Sequence, residues 1–334
     1  MLHRRQTLQL LAAGAATAAV AGHAPRALAA EPTMVTVVKI TGIPWFNLVN
    51  EGLTRGGKQF GINTSMVGPA HVDPAQQVRL VEDLIARRVD VIGLVPLDVK
   101  VLAPVLQRAQ AAKIPVITQE GPNQDGRTWD VELIDSTKFG EEQMKALAGF
   151  MGEEGEYVVY VGTLTTPLHN KWADAAIAYQ KAHYPKMKLA ASRYPGADEI
   201  DTSERTTLDV LKAYPDLKGI LGFGSNGPIG AGIAVKQKHL ADKVMVVGTV
   251  VPSQAKPMIM DGTIKEGFLW SPIDAGYAMV AVASRVLKGQ PIESGFDVPG
   301  LGKATVDKEN RVVAWNDILT INKQTIDGLI KQGL

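Results

Sequence analysis

From residue 34 onward the chain alternates short, continuous apolar runs with longer segments whose apolar residues recur at helical spacing. The runs at 34–40, 89–95, 114–118, 157–161, 219–223 and 244–247 lack the strict alternation of a strand with one wet face. Strands covered on both faces read this way, which predicts parallel sheet under helices. Between them, Phe46, Val49, Leu53 and Phe60 share one helical face. Asp73-Pro74 predicts an N-cap followed by proline at the first helical position of a helix carrying Val78, Val81, Leu84 and Ile85. Asp98 is expected to cap the helix of Leu102, Leu106 and Ala109, and further helices are expected near 137–151, 170–183, 203–214, 228–239 and 272–288. The scheme repeats, so the pattern predicts an α/β protein of two doubly wound, Rossmann-like parallel-sheet domains. The join is expected near 129–135, where no Gly/Ser-rich or Pro-rich linker occurs. A hinge built from strands, suited to closure around a ligand, is the consequence.

The length of 334 residues agrees with two domains, and 46% hydrophobic against 21% charged residues excludes general disorder. Lys and Arg total 35 against 34 Asp and Glu, which leaves no basic excess for a phosphate backbone, so nucleic acid is not expected as a partner. The absence of cysteine excludes disulfides, Cys-type zinc, thiol catalysis and an N-terminal lipid anchor on Cys. Residues 1–29 contain Arg4, Arg5 and Arg26 with no acid, an Ala/Gly/Val/Leu stretch over 8–22, and Ala27-Leu28-Ala29 at the end. That order predicts an export signal cleaved before Ala30. Arg4-Arg5-Gln6-Thr7-Leu8 resembles a twin-arginine signal, with a Sec signal as the alternative. Removing the three arginines leaves 32 basic against 34 acidic residues. A monomer located in a periplasm is expected.

Gly222-Phe223-Gly224-Ser225-Asn226-Gly227 matches G-x-G-x-x-G between a predicted strand and helix. The acid that would hold a ribose is missing after the next strand, where Val247-Gly248 runs into Thr249-Val250, so the motif reads as a tight turn facing the crevice. No G-x-S-x-G elbow occurs, and of the six histidines only His169 sits where a strand hands over to a helix, without H-x-x-x-H spacing. No catalytic group, metal or cofactor is expected. Ligands of open α/β sheets bind beyond the carboxyl ends of the strands. Those positions hold Lys39, Trp45 and Phe46, then Glu120, His169 and Asn170, Ser225 and Asn226, and finally Trp270 and Asp274. Trp172 falls on the same side and serves equally well as core. Aromatic faces with a few amides and opposite charges fit a neutral sugar or polyol.

These residues carry a family resemblance over nearly the whole chain from Val35. Val37-Val38-Lys39 with Trp45-Phe46, Asp90-Val91-Ile92 before Val95-Pro96, Ile114-Pro115-Val116-Ile117, Leu211-Lys212-Ala213-Tyr214, and the run from Leu269-Trp270-Ser271-Pro272 to Tyr277 are the matching signposts. The chain resembles the type I periplasmic solute-binding proteins of ABC importers, in the branch with the rhamnose-binding and autoinducer-2-binding proteins. The resemblance implies a substrate-binding component that delivers a small ligand to a membrane permease. It also implies ligand contacts at Lys39, at Trp45-Phe46 in place of a Phe-Phe pair, and at Glu120 in place of Asp. Leu168-His169 stands where the autoinducer-binding relatives have Asp-Gln, and Thr249 or Val250 where ribose-type relatives have Asp, so the ligand identity stays open. The expected lobes are 34–134 with about 271–291, and 135–270 with about 292–334. A regulator's sensing core shares the fold, and an export signal in place of a helix-turn-helix argues against it.

Overall fold

The structure, a computed structural model, describes residues 31–334, and the expected export signal over 1–29 lies outside them. The elements run β1 (Thr33–Val37), α1 (Pro44–Phe60), β2 (Asn63–Val67), α2 (Pro74–Ala86), β3 (Val91–Leu94), α3 (Val99–Ala111), β4 (Val116–Gln119) and β5 (Trp129–Glu132). There follow α4 (Ser136–Met151), β6 (Glu154–Tyr160), α5 (Pro167–His183), β7 (Lys186–Leu189), α6 (Ile200–Ala213), β8 (Leu217–Gly222), α7 (Gly227–Gln237), β9 (Met245–Thr249), α8 (Pro252–Met260) and β10 (Ile264–Leu269). The chain ends with α9 (Pro272–Leu287), β11 (Asp297–Val298), β12 (Gly302–Lys303), β13 (Thr305–Asp307), β14 (Val312–Ala314), β15 (Leu319–Ile321) and α10 (Ile326–Lys331).

Two α/β lobes result. Among the described residues the first sheet has the order β13-β14-β5-β4-β3-β1-β2 and the second β15-β10-β9-β8-β6-β7. Within these two sheets every pairing is parallel except β13 with β14 and β15 with β10, and β11 and β12 form a separate antiparallel pair. The apolar runs form the sheet centres, and β3 and β4 are buried at all four positions. Polar β2 and β7 sit at the sheet edges, where half of each strand meets water and no continuous apolar run is needed. Local signals fix the helix starts: the Asp73 carboxylate accepts from Gln76 N–H, Asp98 from Lys100 and Val101, and Asp135 from Thr137 and Lys138.

Three segments cross between the lobes: β5 to α4, β10 to α9, and β14 to β15. Two of them are zipped together, with Trp315 N–H donating to Glu132 O at 2.9 Å and Asp317 N–H to Leu133 O at 3.0 Å. The expectation that 292–334 belongs wholly to the second lobe is corrected here. Val312–Ala314 pairs in parallel with Asp130–Glu132, so 305–314 extends the first sheet before the chain returns to pair β15 with β10.

Helices α1 and α9 run side by side in the same direction with their backbones touching. A Cβ on Gly52 would lie 1.8 Å from the Ile273 carbonyl oxygen, and one on Gly276 would lie 2.2 Å from that of Val49. Only glycine permits this seam. Its consequence is that Trp45, at the start of α1, and Trp270, just before α9, meet edge to face with centroids 4.9 Å apart.

Candidate functional site

A narrow cavity lies between the carboxyl ends of the two sheets, its free volume of about 20 Å³ far below that of a small-molecule site, so the lobes stand closed on each other. The first lobe contributes Lys39, Ile43, Trp45, Phe46 and Glu120, and the second contributes His169, Trp172, Asp198, Phe223, Ser225 and Thr249, with Trp270 at the crossing. Seven of the ten residues expected from sequence therefore line one space. Strand exits explain it: Lys39 follows β1, Glu120 follows β4, Ser225 follows β8, and Trp270 follows β10.

The polar centre is an ion cluster spanning both lobes. Lys39 Nζ lies 3.0 Å from Glu120 Oε2, 3.0 Å from His169 Nε2 and 4.0 Å from Asp198 Oδ1, and all four residues are buried. Burial works against the Lys39 charge, but Asp198 and Glu120 outweigh it and hold the ammonium above its ordinary pKa. Burial, assisted by the neighbouring Lys39, pushes His169 well below the ordinary imidazole value, so the ring is neutral. Burial raises Asp198 despite the opposing pull of Lys39. Glu120 adopts φ 59°, an unusual backbone conformation for a residue other than glycine, which turns its carboxylate toward Lys39.

Around this centre stands an aromatic wall. Trp270 meets Trp45, Trp172 and Phe139 edge to face, and Trp172 stacks on the His169 ring with centroids 5.2 Å apart. Four buried polar atoms on the cavity wall have no hydrogen-bond partner: Trp172 Nε1, Trp270 Nε1, Asp198 Oδ2 and Thr249 Oγ1. Such groups are rare in protein interiors and each calls for a partner.

Three expected residues need correction. Asn170 donates to the Thr163 and Thr166 carbonyls and accepts from Arg193, so it faces away from the cavity. The reason is rotation: α5 begins at Pro167, and positions 169 and 172 share a face from which 170 is turned by about 100°. Asp274 pairs with Arg55 on α1 at 2.6 Å, outside the cavity, because it sits on the flank of α9 beside the glycine seam. Asn226 stands behind the wall, donating to the Asp198 carbonyl at 2.9 Å and accepting from Gln254 at 3.0 Å, and it steadies the loop that presents Asp198.

The glycine-rich turn at 222–227 serves packing. A Cβ on Gly224 would lie 2.5 Å from the Ala197 carbonyl oxygen, so the turn brings the Asp198 loop to the cavity. Sequence reasoning missed Asp198, Ile43, Phe223 and Thr249 as wall residues. Asp198 comes from an irregular stretch between β7 and α6, and its one signal was an adjacent acidic pair, Asp198-Glu199, just before a helix. With Lys39, Glu120 and Asp198 ionised the cluster carries a net charge of −1 instead of the balanced pair expected.

Residues 34–291 match the family described as periplasmic binding protein domain. The chain is 24% identical over 297 residues to the ribose import binding protein RbsB of Salmonella typhimurium, covering 89% of this chain and 97% of the relative. Among solved structures, an ABC transporter solute-binding protein from Clostridium phytofermentas with bound L-rhamnose superposes with a TM-score of 0.84 at 23% identity, covering 90% of this chain and 98% of the other. LsrB from Clostridium saccharobutylicum in complex with AI-2 gives 0.82 at 21% identity, with 89% and 99% covered. These structural likenesses establish a shared fold. Among the described residues no helix is long and apolar enough to cross a membrane.

Proposed function

The chain belongs to the periplasmic binding protein domain family, and from that premise we propose that it captures a small neutral sugar or polyol between its lobes and delivers it to a membrane ABC permease, with no chemistry of its own. The observation that carries this reading is the cavity wall: indole and phenyl rings interleaved with the four unpartnered polar atoms of Trp172, Trp270, Asp198 and Thr249. A hydroxylated ring presents apolar faces to such a wall and hydroxyls to its donors and acceptors. The ribose-import relative and the L-rhamnose complex support the ligand class. Leu168, buried where autoinducer-binding relatives carry a carboxylate, supports a sugar over autoinducer-2.

The net negative charge of the ion cluster disfavours sugar phosphates and organic acids, because a second buried anion lacks a counter-charge. The three crossing segments are read as the hinge: Lys39 and Glu120 of one lobe already meet His169 and Asp198 of the other, so the lobes must part to admit a ligand and close again over it. Export by the 1–29 signal through the twin-arginine or Sec route, a periplasmic location and a monomeric state complete the reading. A thermal-shift screen over pentoses, deoxyhexoses, polyols and lactones tests it. A ligand at about 100 times its dissociation constant adds roughly 2.7 kcal/mol. A shift by one of these and none by their phosphates is expected, whereas shifts by anions alone would overturn the assignment.

A further inference from the structure

Both ring nitrogens of the buried His169 have a neighbour that is a donor. Gly162 N–H donates to Nδ1 at 2.9 Å, and Nε2 lies 3.0 Å from Lys39 Nζ. A backbone amide carries a single hydrogen fixed in the peptide plane, so Nδ1 must present its lone pair. A neutral imidazole then carries its proton on Nε2. The ring stays neutral because it is buried beside an ammonium. Lys39 keeps its own proton, with Glu120 at 3.0 Å and Asp198 at 4.0 Å. The Nε2–H therefore points at the Lys39 ammonium nitrogen, itself a donor, with no acceptor between them. Flipping the ring by 180° gives no relief, since it sets a carbon against Gly162 N–H. The Trp172 ring stacked on His169 adds a third donor, Nε1–H, that also lacks a partner.

We propose that His169, held as the Nε2–H tautomer, and Lys39 form a two-donor clamp for one ligand oxygen, which enters between them as the lobes part and relieves their 3.0 Å contact. A hydroxyl, ring or carbonyl oxygen has the two lone pairs that such a pair of donors requires, and a hydroxyl there also donates onward to Glu120 or Asp198. The proposal rests on the reading that a hydroxylated ligand occupies this cavity, and it deepens that reading in one respect. The ligand must place an oxygen acceptor at this point, and an ammonium or methylene in the same position is rejected despite the negative charge of the cluster. A fixed neutral tautomer also keeps binding unchanged as pH crosses the ordinary histidine range.

The tautomer can be read in the ligand-free, full-length protein from long-range proton–nitrogen NMR correlations of 15N-histidine-labelled material. The His169 signals are identified by their loss in His169→Gln. The expected pattern is Nε2–H, unchanged from about pH 5.5 to pH 8. An Nδ1–H pattern, or titration within that interval, overturns the assignment. Calorimetry with D-ribose, L-rhamnose and xylitol supplies the second arm. The tightest binder should weaken about tenfold in His169→Leu and distinctly less in His169→Gln, whose amide restores a donor. Equal affinity in wild type and a folded His169→Leu protein overturns the clamp. Failure of every sugar and polyol to bind, with the tautomer intact, strikes the functional reading instead, so the two failures are distinguishable.

Discussion

Replacing Lys39 by Met removes the one cation from a buried group of four side chains and leaves Glu120 and Asp198 facing each other without it. At an effective dielectric of about 20, unit charges attract by about 5 to 6 kcal/mol at the 3.0 Å of Lys39–Glu120 and by about 4 kcal/mol at the 4.0 Å of Lys39–Asp198. Desolvation of the ammonium offsets part of this, so the net loss expected on breaking a buried pair from one side is about 3 to 5 kcal/mol. In a chain of this size that corresponds to a drop in melting temperature of roughly 5 to 8 °C. Glu120→Gln introduced into the Lys39→Met protein should restore part of the loss, with a coupling of about 0.5 to 3 kcal/mol. The pH dependence has a definite sign. Asp198 is already raised from its ordinary value, first by burial, and losing Lys39 raises it further. A group with a raised folded-state pKa favours the folded protein as it protonates, so the Lys39→Met penalty should shrink between about pH 7.5 and pH 4.5. Calorimetric melting of wild type, the single variant and the double variant at both pH values measures all three quantities. A loss below about 1 kcal/mol at neutral pH would mean that these charges are solvated in the ligand-free protein, and it would refute the buried cluster.

Three further outcomes are expected. Gly52→Ala forces its Cβ toward the Ile273 carbonyl oxygen, 1.8 Å away, so α1 and α9 must separate; a loss of about 1 to 3 kcal/mol and a changed near-ultraviolet dichroism from the Trp45–Trp270 pair are expected, and an unperturbed melt would count against the seam. Trp270→Phe keeps the aromatic packing but deletes the unpartnered Nε1–H; calorimetry should show ligand affinity falling about three- to tenfold with the fold retained, and unchanged affinity would make Trp270 a core residue alone. Burial raises Asp130 to about 6 even though Thr118 and Gly121 donate to it; its folded-state pKa lies above the unfolded one, so stability falls as pH rises through about 4 to 6, and Asp130→Asn should stabilise the protein at pH 7.5 but not at pH 3.5, as thermal unfolding at the two values would reveal.

The sheet centres were legible because a strand buried on both faces needs a continuous apolar run, which Val91–Leu94 of β3, Tyr157–Tyr160 of β6 and Val246-Val247 of β9 supply. Lys39, Trp45, Phe46, Glu120, Ser225 and Trp270 were legible for a related reason: each closely follows a strand at the end where open α/β sheets present their loops. What escaped was set by distant pairing or by rotation. Nothing local in Val312–Ala314 announces its partner Asp130–Glu132, some 180 residues earlier in the sequence. Asp198 reaches the cavity from a loop without regular structure, carried there by the Gly224–Ala197 contact. Placing the start of a helix at 170 instead of Pro167 was enough to turn Asn170 toward the wrong side. The donor conflict at His169 lay beyond any sequence pattern, because it depends on Gly162 and Lys39 meeting the ring from two lobes.

Titration calorimetry of the purified protein with matched pairs, D-ribose against ribose 5-phosphate and L-rhamnose against L-rhamnonate, bears most directly on the claim that the cavity holds a neutral hydroxylated ligand. The predicted result is one-to-one binding of at least one neutral member, with a negative heat-capacity change from covering the Trp45, Trp172 and Trp270 faces. Its anionic counterpart should bind at least about tenfold more weakly, a difference of about 1.4 kcal/mol. Tighter binding of the phosphate or the acid than of either neutral sugar would contradict the account.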